Sequence, residues 1–408
     1  MFNFRLWLLA AFLPVCFGAG LAHAQIDPTK RELIQLGYNQ PLQGHAPIAG
    51  YAFYYYNQPG FLRTNLTLRL AVAPVYVDSE LGIANTIGPY TDLGFGLAGG
   101  GFADSYSEIR QGKYLREESF TGNGGQVSAS IYHRFNPDQR IPLAGIFRTE
   151  VAFADYERDD TTAPTFVLPR DQTSFNIRTG FRWGGKEPLL APDVGLELSV
   201  WYEGKFRPNA GAYGFSDDRR VESASHLFWA RALFAYTLPE RKDNFMFSVT
   251  AGTSIEADRF SAYRIGGNLP LASEFPLSIP GYFYQELSAS RFVLLNGTYY
   301  MPLDAHKRWE LTAVASTAAI DYLTGLQQPG HWNSGAGGGI TYHASSQAWR
   351  IFLGYGYGFD AIRTGGRGAH SIGFLVQFDL ERTKGPFYDP GANNSWSRGL
   401  DRILHSFN

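Results

Sequence analysis

The chain has one cysteine, Cys16, in 408 residues. It sits near the N-terminus, so no disulfide framework can hold the remainder together. Charged residues are few, 18% of the chain, and sum to −2. A nucleic-acid partner needs a basic face that this balance does not supply. Beyond the N-terminus there is no apolar run of about 18 residues, the length of a membrane-spanning helix. Histidine pairs at metal-ligand spacing are also missing. The glycines at Gly99–Gly101, Gly266–Gly267 and Gly337–Gly339 are not followed by helical patterns, so they offer no helix N-terminus to a phosphate. They are read as places where strands curve or a loop packs closely. No cofactor or metal is expected.

What the chain does have is glycine (46 residues) and aromatics (15%), a balance suited to β-structure facing lipid. Met1 to Ala24 reads as a signal peptide, with Arg5 as its positive start, Leu6–Gly20 as its apolar stretch and Ala22-His23-Ala24 as its cleavage signal. Val15 before Cys16 speaks against a lipoprotein site. Residues 25–32 then form a short periplasmic segment, residues 33–380 a barrel, and residues 381–408 a periplasmic tail.

From Arg31 onward, runs of ten to fifteen alternating residues are separated by turns. Val194–Lys205 is the clearest: Val194, Leu196, Leu198, Val200 and Tyr202 alternate with Glu197, Ser199, Glu203 and Lys205. Ser174–Trp183 sets Phe175, Ile177 and Phe181 against Arg178 and Arg182. Trp349–Phe359 sets Ile351, Leu353 and Tyr355 against Arg350 and three glycines. Glu286–Met301 puts Val293, Leu295 and Tyr299 opposite Ser288, Ser290 and Asn296. Period two means strand. One apolar and one polar face, repeated in strands this long, is the pattern of a transmembrane antiparallel β-barrel, since a bilayer tolerates no open sheet edge. A soluble β-protein with an edge hairpin is the alternative, and its strands would be shorter. Aromatics at strand ends, Trp309 and Trp349 at one and Tyr322, Tyr357 and Phe359 at the other, suggest interfacial girdles. Short connections (such as Pro239–Asp243 and Asp304–Lys307) alternate with longer ones (Arg110–Asn123, Glu157–Asp171, Arg207–Val221, Ser261–Gln285, Ala361–Gly368). The count is about sixteen strands, with Leu33–Leu42 the first, eleven before Ser261–Gln285 and five after.

The long connection opens with R-I-G-G at Arg264–Gly267, carries P-G-Y at Pro280–Tyr282, and leads into RFVLLNGTYYMPL. In this it resembles the BamA/TamA family of outer-membrane assembly barrels, the bacterial surface antigen family, over the barrel only. The resemblance implies that Arg264, Gly266, Gly267, Pro280, Gly281 and Tyr282 belong to a loop folded into the lumen. It also implies a role in outer-membrane assembly or in translocating a protein or lipid partner. Three departures stand beside it. Pro280 occupies the place of the family's lumenal arginine, so Glu310 on the wall lacks its expected partner. About 25 residues lie between Gln25 and the first firm strand, too few for the family's periplasmic POTRA domains. Glu381–Asn408 runs on past the last strand.

The lumen wall should carry Glu310, Arg178, Arg182, Glu197, Glu203 and Arg350, mixed signs that brace an interior or line a weakly selective channel. The other reading of function is therefore a porin-like channel for small solutes. A membrane hydrolase would need serine, histidine and acid together on the lipid face. His133, His226 and His370 fall there, but Ser371 does not, and no enzymatic activity is expected. The expected partners are outer-membrane lipid and envelope proteins or small solutes.

Overall fold

The computed structural model describes residues 29–139, 141–185, 195–269 and 275–383. The expected signal peptide, most of residues 25–32 and most of the C-terminal tail lie outside these. Sixteen long strands form one antiparallel sheet: β1 (Arg31–Pro41), β2 (Ala49–Pro59), β3 (Leu66–Ala73), β4 (Tyr76–Gly88), β5 (Thr91–Gly100), β6 (Thr121–Arg134), β7 (Leu143–Glu157), β8 (Gln172–Gly184), β9 (Leu196–Phe206), β10 (Ala224–Thr237), β11 (Asn244–Ile255), β12 (Leu287–Pro302), β13 (Trp309–Tyr322), β14 (Trp332–His343), β15 (Trp349–Arg363) and β16 (Gly366–Asp379). Each pairs with its chain neighbours. Leu33–Pro41 of β1 pairs with Asp379–Ser371 of β16, which closes the barrel.

Alternation turns the sequence inside out. On β9, Leu198 and Val200 are 44% and 52% exposed, whereas Glu197 and Ser199 are 3% and 4%. Apolar residues outside and polar residues inside is the opposite of a soluble core, and makes the outer wall a lipid surface. A closed sheet satisfies every strand hydrogen bond without a free edge, which is what hydrocarbon requires. Eleven strands precede the longest loop and five follow it, as the turn pattern predicted.

Three expectations need correction. Ala361–Gly368 is no loop: β15 runs to Arg363 and β16 begins at Gly366, leaving a tight turn. Its glycines, Gly366 and Gly368, take positive φ (123° and 103°) to let the pair run on. Tyr322 does not join a lipid girdle. It stands an odd number of positions from Trp309 on one strand, so it faces inward, accepting a hydrogen bond from Asn333 Nδ2 at 2.7 Å. Ser290, placed on the polar face by simple alternation, is the extra residue of a β-bulge between Ala289 and Arg291.

Candidate functional site

The lumen is polar except along one side. There, β10, β12, β13, β15 and β16 present Leu227, Phe292, Leu294, Ala318, Ile320, Ala361 and Ala369, all buried. Tyr263, Ile265, Ile279 and Tyr282 of the loop between β11 and β12 lie buried against them in one cluster. This explains why the loop is apolar: its surface replaces the missing side of the core, away from water.

The two motifs of the loop fold on each other. Gly266 N–H donates to Leu277 O at 3.0 Å, and Ile279 N–H donates back to Gly266 O at 3.2 Å. Gly267 N–H donates to Phe283 O at 2.8 Å. A Cβ on Gly266 would lie 2.3 Å from Phe283 O, so both chains need a glycine to approach so closely. Arg264 does not point into the lumen. It lies at the mouth, where its Nη2 donates to Ser107 O and its Nε to Gln285 O, each at 3.1 Å, with its guanidinium over the Tyr106 ring.

The tip, Pro280-Gly281-Tyr282, rests on a wall stripped of side chains. Lumen-facing Gly335 of β14 and Gly356 and Gly358 of β15 leave bare backbone there. A Cβ on Gly335 would meet Pro280 O at 2.3 Å, and one on Gly281 would meet Gly358 N at 1.9 Å. Gly281 also has φ +85°, which other residues rarely adopt. Tyr282, fully buried, donates from its hydroxyl to Asn333 Oδ1 at 3.2 Å.

Opposite the tip, Phe275 projects among Arg178, Arg182 and Arg231, whose guanidinium carbons lie 5.8, 5.7 and 5.4 Å from its ring centre. Trp201 and Trp229, stacked at 5.4 Å, both touch it, Trp229 at 4.6 Å edge-on. Arg182 pairs with Glu197 at 2.9 Å and Arg178 with Glu203 at 3.4 Å. So four of the six wall residues foreseen from the sequence come together around one aromatic ring. Glu310 and Arg350 do not. They stand near the short-turn ends of β13 and β15, where Arg350 donates to Gln377 Oε1 at 2.7 Å. The loop tip, on Gly356 and Gly358, lies several residues higher.

The ion pair that fastens the loop was not foreseen. Arg363 at the top of β15 makes a two-pronged bond to Glu286, Nη1–Oε1 2.8 Å and Nη2–Oε2 3.0 Å, with both side chains under 5% exposed. Its guanidinium also stacks 3.7 Å over the Phe283 ring. Charge has changed sides relative to the resemblance: the base is on the wall and the acid on the loop. In the sequence Glu286 shows only as an acid after an apolar stretch, and Arg363 lies in what reads as a loop.

Above the plug, the mouth is roofed. Tyr106, Phe120, Phe166 and Tyr213, from three different connections, form a buried aromatic cluster that Phe260 joins. Glu108, fully buried, accepts from Tyr106 Oη at 2.6 Å and from Arg259 Nε at 3.1 Å. Arg219 pairs with Glu118 across the same layer. Burial pushes the Tyr106 phenol above its ordinary value, Arg264 opposes this and Glu108 adds to it, so the hydroxyl remains a donor. The hairpin of Ile109–Arg110 with Lys113–Tyr114 reaches across to β15, where a Cβ on Gly112 would lie 1.7 Å from Ile362 O.

The outward histidines each bond a hydroxyl: His133 to Thr91 and His226 to Tyr202, at 2.8 and 2.9 Å, and His370 to Tyr355.

No protein-family model matches this chain, and no curated protein sequence does. Solved structures do. CdiB from Acinetobacter baumannii superposes with a TM-score of 0.54 at 10% identity, covering 86% of this chain and 60% of that one. CdiB from Escherichia coli gives 0.53 at 12%, covering 86% and 63%. BamA from Haemophilus ducreyi lacking POTRA domains 1-3 gives 0.52 at 11%, covering 86% and 70%. The chain thus spans 60% of the length of the first of these and 70% of the BamA chain. At such identities the likeness is one of fold: this chain is a membrane β-barrel shaped like those of BamA and CdiB.

Proposed function

We propose that the protein is an outer-membrane barrel that admits a protein or lipid partner from the periplasm, in assembly or translocation, and that its resting state is shut. The short turns face the periplasm and the long loops face outward. The observation that carries this reading is the loop between β11 and β12, held inside the barrel by a buried ion pair near the top of the wall and a glycine cradle below it. A solute channel keeps a continuous aqueous path, whereas here both the lumen and the mouth hold packed side chains. Below the loop the inward face of the wall is polar, with Gln35, Thr312 and Thr341 on it, a lining compatible with an extended chain or a headgroup. The signal peptide belongs to the same reading, and mature protein should begin at Gln25.

Two measurements test it. In planar bilayers the intact barrel should be nearly silent, and deletion of residues 269–282 should produce a stable conductance. A photo-crosslinking residue at Thr341 should capture an envelope polypeptide or lipid in growing cells. Steady conductance by the intact protein, with no crosslink, would favour the porin-like reading and defeat this one.

A further inference from the structure

The lipid-facing wall carries a shallow, open groove. On β10, β11 and β13 the outward positions Ala230, Ala251 and Ala319 carry only a methyl group, while Val200, Phe228 and Val293 stand beside them. Ala251 pairs with Ala230 on one side and Val293 on the other, so these small residues lie side by side across the sheet. Together they leave a groove of about 660 Å³.

The groove has a charged upper lip. Arg291 Nη2 pairs with Asp321 Oδ2 at 3.0 Å, and the arginine side chain is still 66% exposed. His331 completes the lip, with Nδ1 donating to Ile320 O at 3.0 Å. The bulge at Ser290 puts Arg291 there, and two hydroxyls lock it: Ser290 Oγ donates to Asp321 O at 3.0 Å and Ser254 Oγ to Ser290 O at 2.7 Å. Bulges commonly re-aim a side chain in this way. Depth also fits. Arg291 stands eight residues along β12 from Tyr299, whose ring stacks on Phe245 at the short-turn rim. At about 3.4 Å per residue and a tilt of about 40°, that is roughly 20 Å across an apolar band about 25 Å tall. The Arg291 backbone therefore lies within about 5 Å of the far edge of that band, where a cation on a long stem can reach lipid phosphate.

We propose that this groove binds one acyl chain of a phosphorylated outer-leaflet lipid, with Arg291 donating to the lipid's phosphate. Hydrocarbon chains are what the bilayer presents to an apolar groove at this depth, and the lip supplies the exposed guanidinium of Arg291, whose remaining N–H donors are open beside its pair with Asp321. The orientation rests on the membrane placement proposed above, but not on any translocation role.

The test is native mass spectrometry of the detergent-purified full-length protein with added lipid A. Diacylglycerol serves as the control without a phosphate, and inorganic phosphate as the control without chains. One lipid A should be retained, and diacylglycerol should be retained at least tenfold less. Ala251→Leu, which fills the groove, and Arg291→Gln, at an exposed side chain, should each lower retention about tenfold. Folding is checked separately by the mobility shift of unheated barrel in gels. Undiminished lipid A retention by folded Ala251→Leu, equal retention of diacylglycerol, or displacement of lipid A by phosphate alone would each overturn the proposal. Failure here would leave the conductance and crosslinking tests of function untouched.

Discussion

The Glu286–Arg363 pair makes a quantitative demand. Both side chains are nearly inaccessible and meet in parallel geometry. Glu286 otherwise accepts only the Phe283 N–H (2.7 Å) among its described bonds, and Arg363 otherwise donates to Ile362 O (2.6 Å) and Gly281 O (3.4 Å). Arg363→Met would leave a buried carboxylate with one backbone donor, at a cost of about 3–5 kcal/mol. The pair fastens a loop to the wall, so the loss should appear as an unseated loop before it appears as an unfolded barrel. Each 1.4 kcal/mol is a factor of ten, so the unseated fraction should rise by roughly 10²–10³. Glu286→Gln keeps the shape, strands the guanidinium and should act in the same direction. The double variant Glu286→Gln/Arg363→Met should be little worse than either single one, so the coupling should approach the cost of one single change, about 3–5 kcal/mol. Flickering conductance in planar bilayers and protease cleavage within the loop would report unseating, and urea titration of the refolded barrel would report global stability. Single variants costing under about 1 kcal/mol, or effects that simply add, would show that packing alone holds the loop.

Further predictions follow from other parts of the wall and loop. Leu198→Arg should destabilise the barrel by about 2–4 kcal/mol near the middle of the bilayer, whereas Ser199→Ala, which loses only a long 3.4 Å bond to Glu197, should cost about 1 kcal/mol or less; equal costs by refolding titration would contradict the assignment of faces. Gly281→Val should prevent seating of the tip, through both its positive φ and its contact with the Gly358 backbone, and should reproduce the conductance of the 269–282 deletion. In the turn after β12, desolvation alone would raise the Asp304 carboxyl, but N–H bonds from Trp309, Arg308 and His306 hold it below its ordinary value. A depressed folded-state value stabilises above the unfolded one and is lost as pH falls through it. The stability advantage over Asp304→Asn should therefore be full near neutrality and shrink below about pH 4.

Strand faces were legible in the sequence because a side-chain period of two survives any error in strand ends. Leu198 and Glu197 reveal their sides of the wall without reference to a partner. The loop's inward course was legible for a different reason: Leu269, Ile279 and Tyr282 are too apolar for a loop in water. What fastens it was not. Glu286 and Arg363 are 77 positions apart, and nothing local to either marks the other. Trp201 and Trp229 sit on the polar side of their strands and look like breaks in the pattern until Phe275 is seen between them. The Ser290 bulge shifts the register beyond it, which no count of alternation could anticipate.

The bare stretch of wall under the loop tip has a consequence for the barrel's mechanics. Gly335, Gly337 and Gly339 on β14 face Gly358, Gly356 and Gly354 on β15 across one ladder. Side chains normally stiffen a sheet by leaning on their cross-strand neighbours, and glycines give up that support. Pro280, Gly281 and Tyr282 stand in for it, as a splint laid along a thin board. The seam between β14 and β15 should therefore exchange its amide hydrogens slowly while the loop is seated and much faster once it leaves, so that unplugging the lumen also softens the wall beside it.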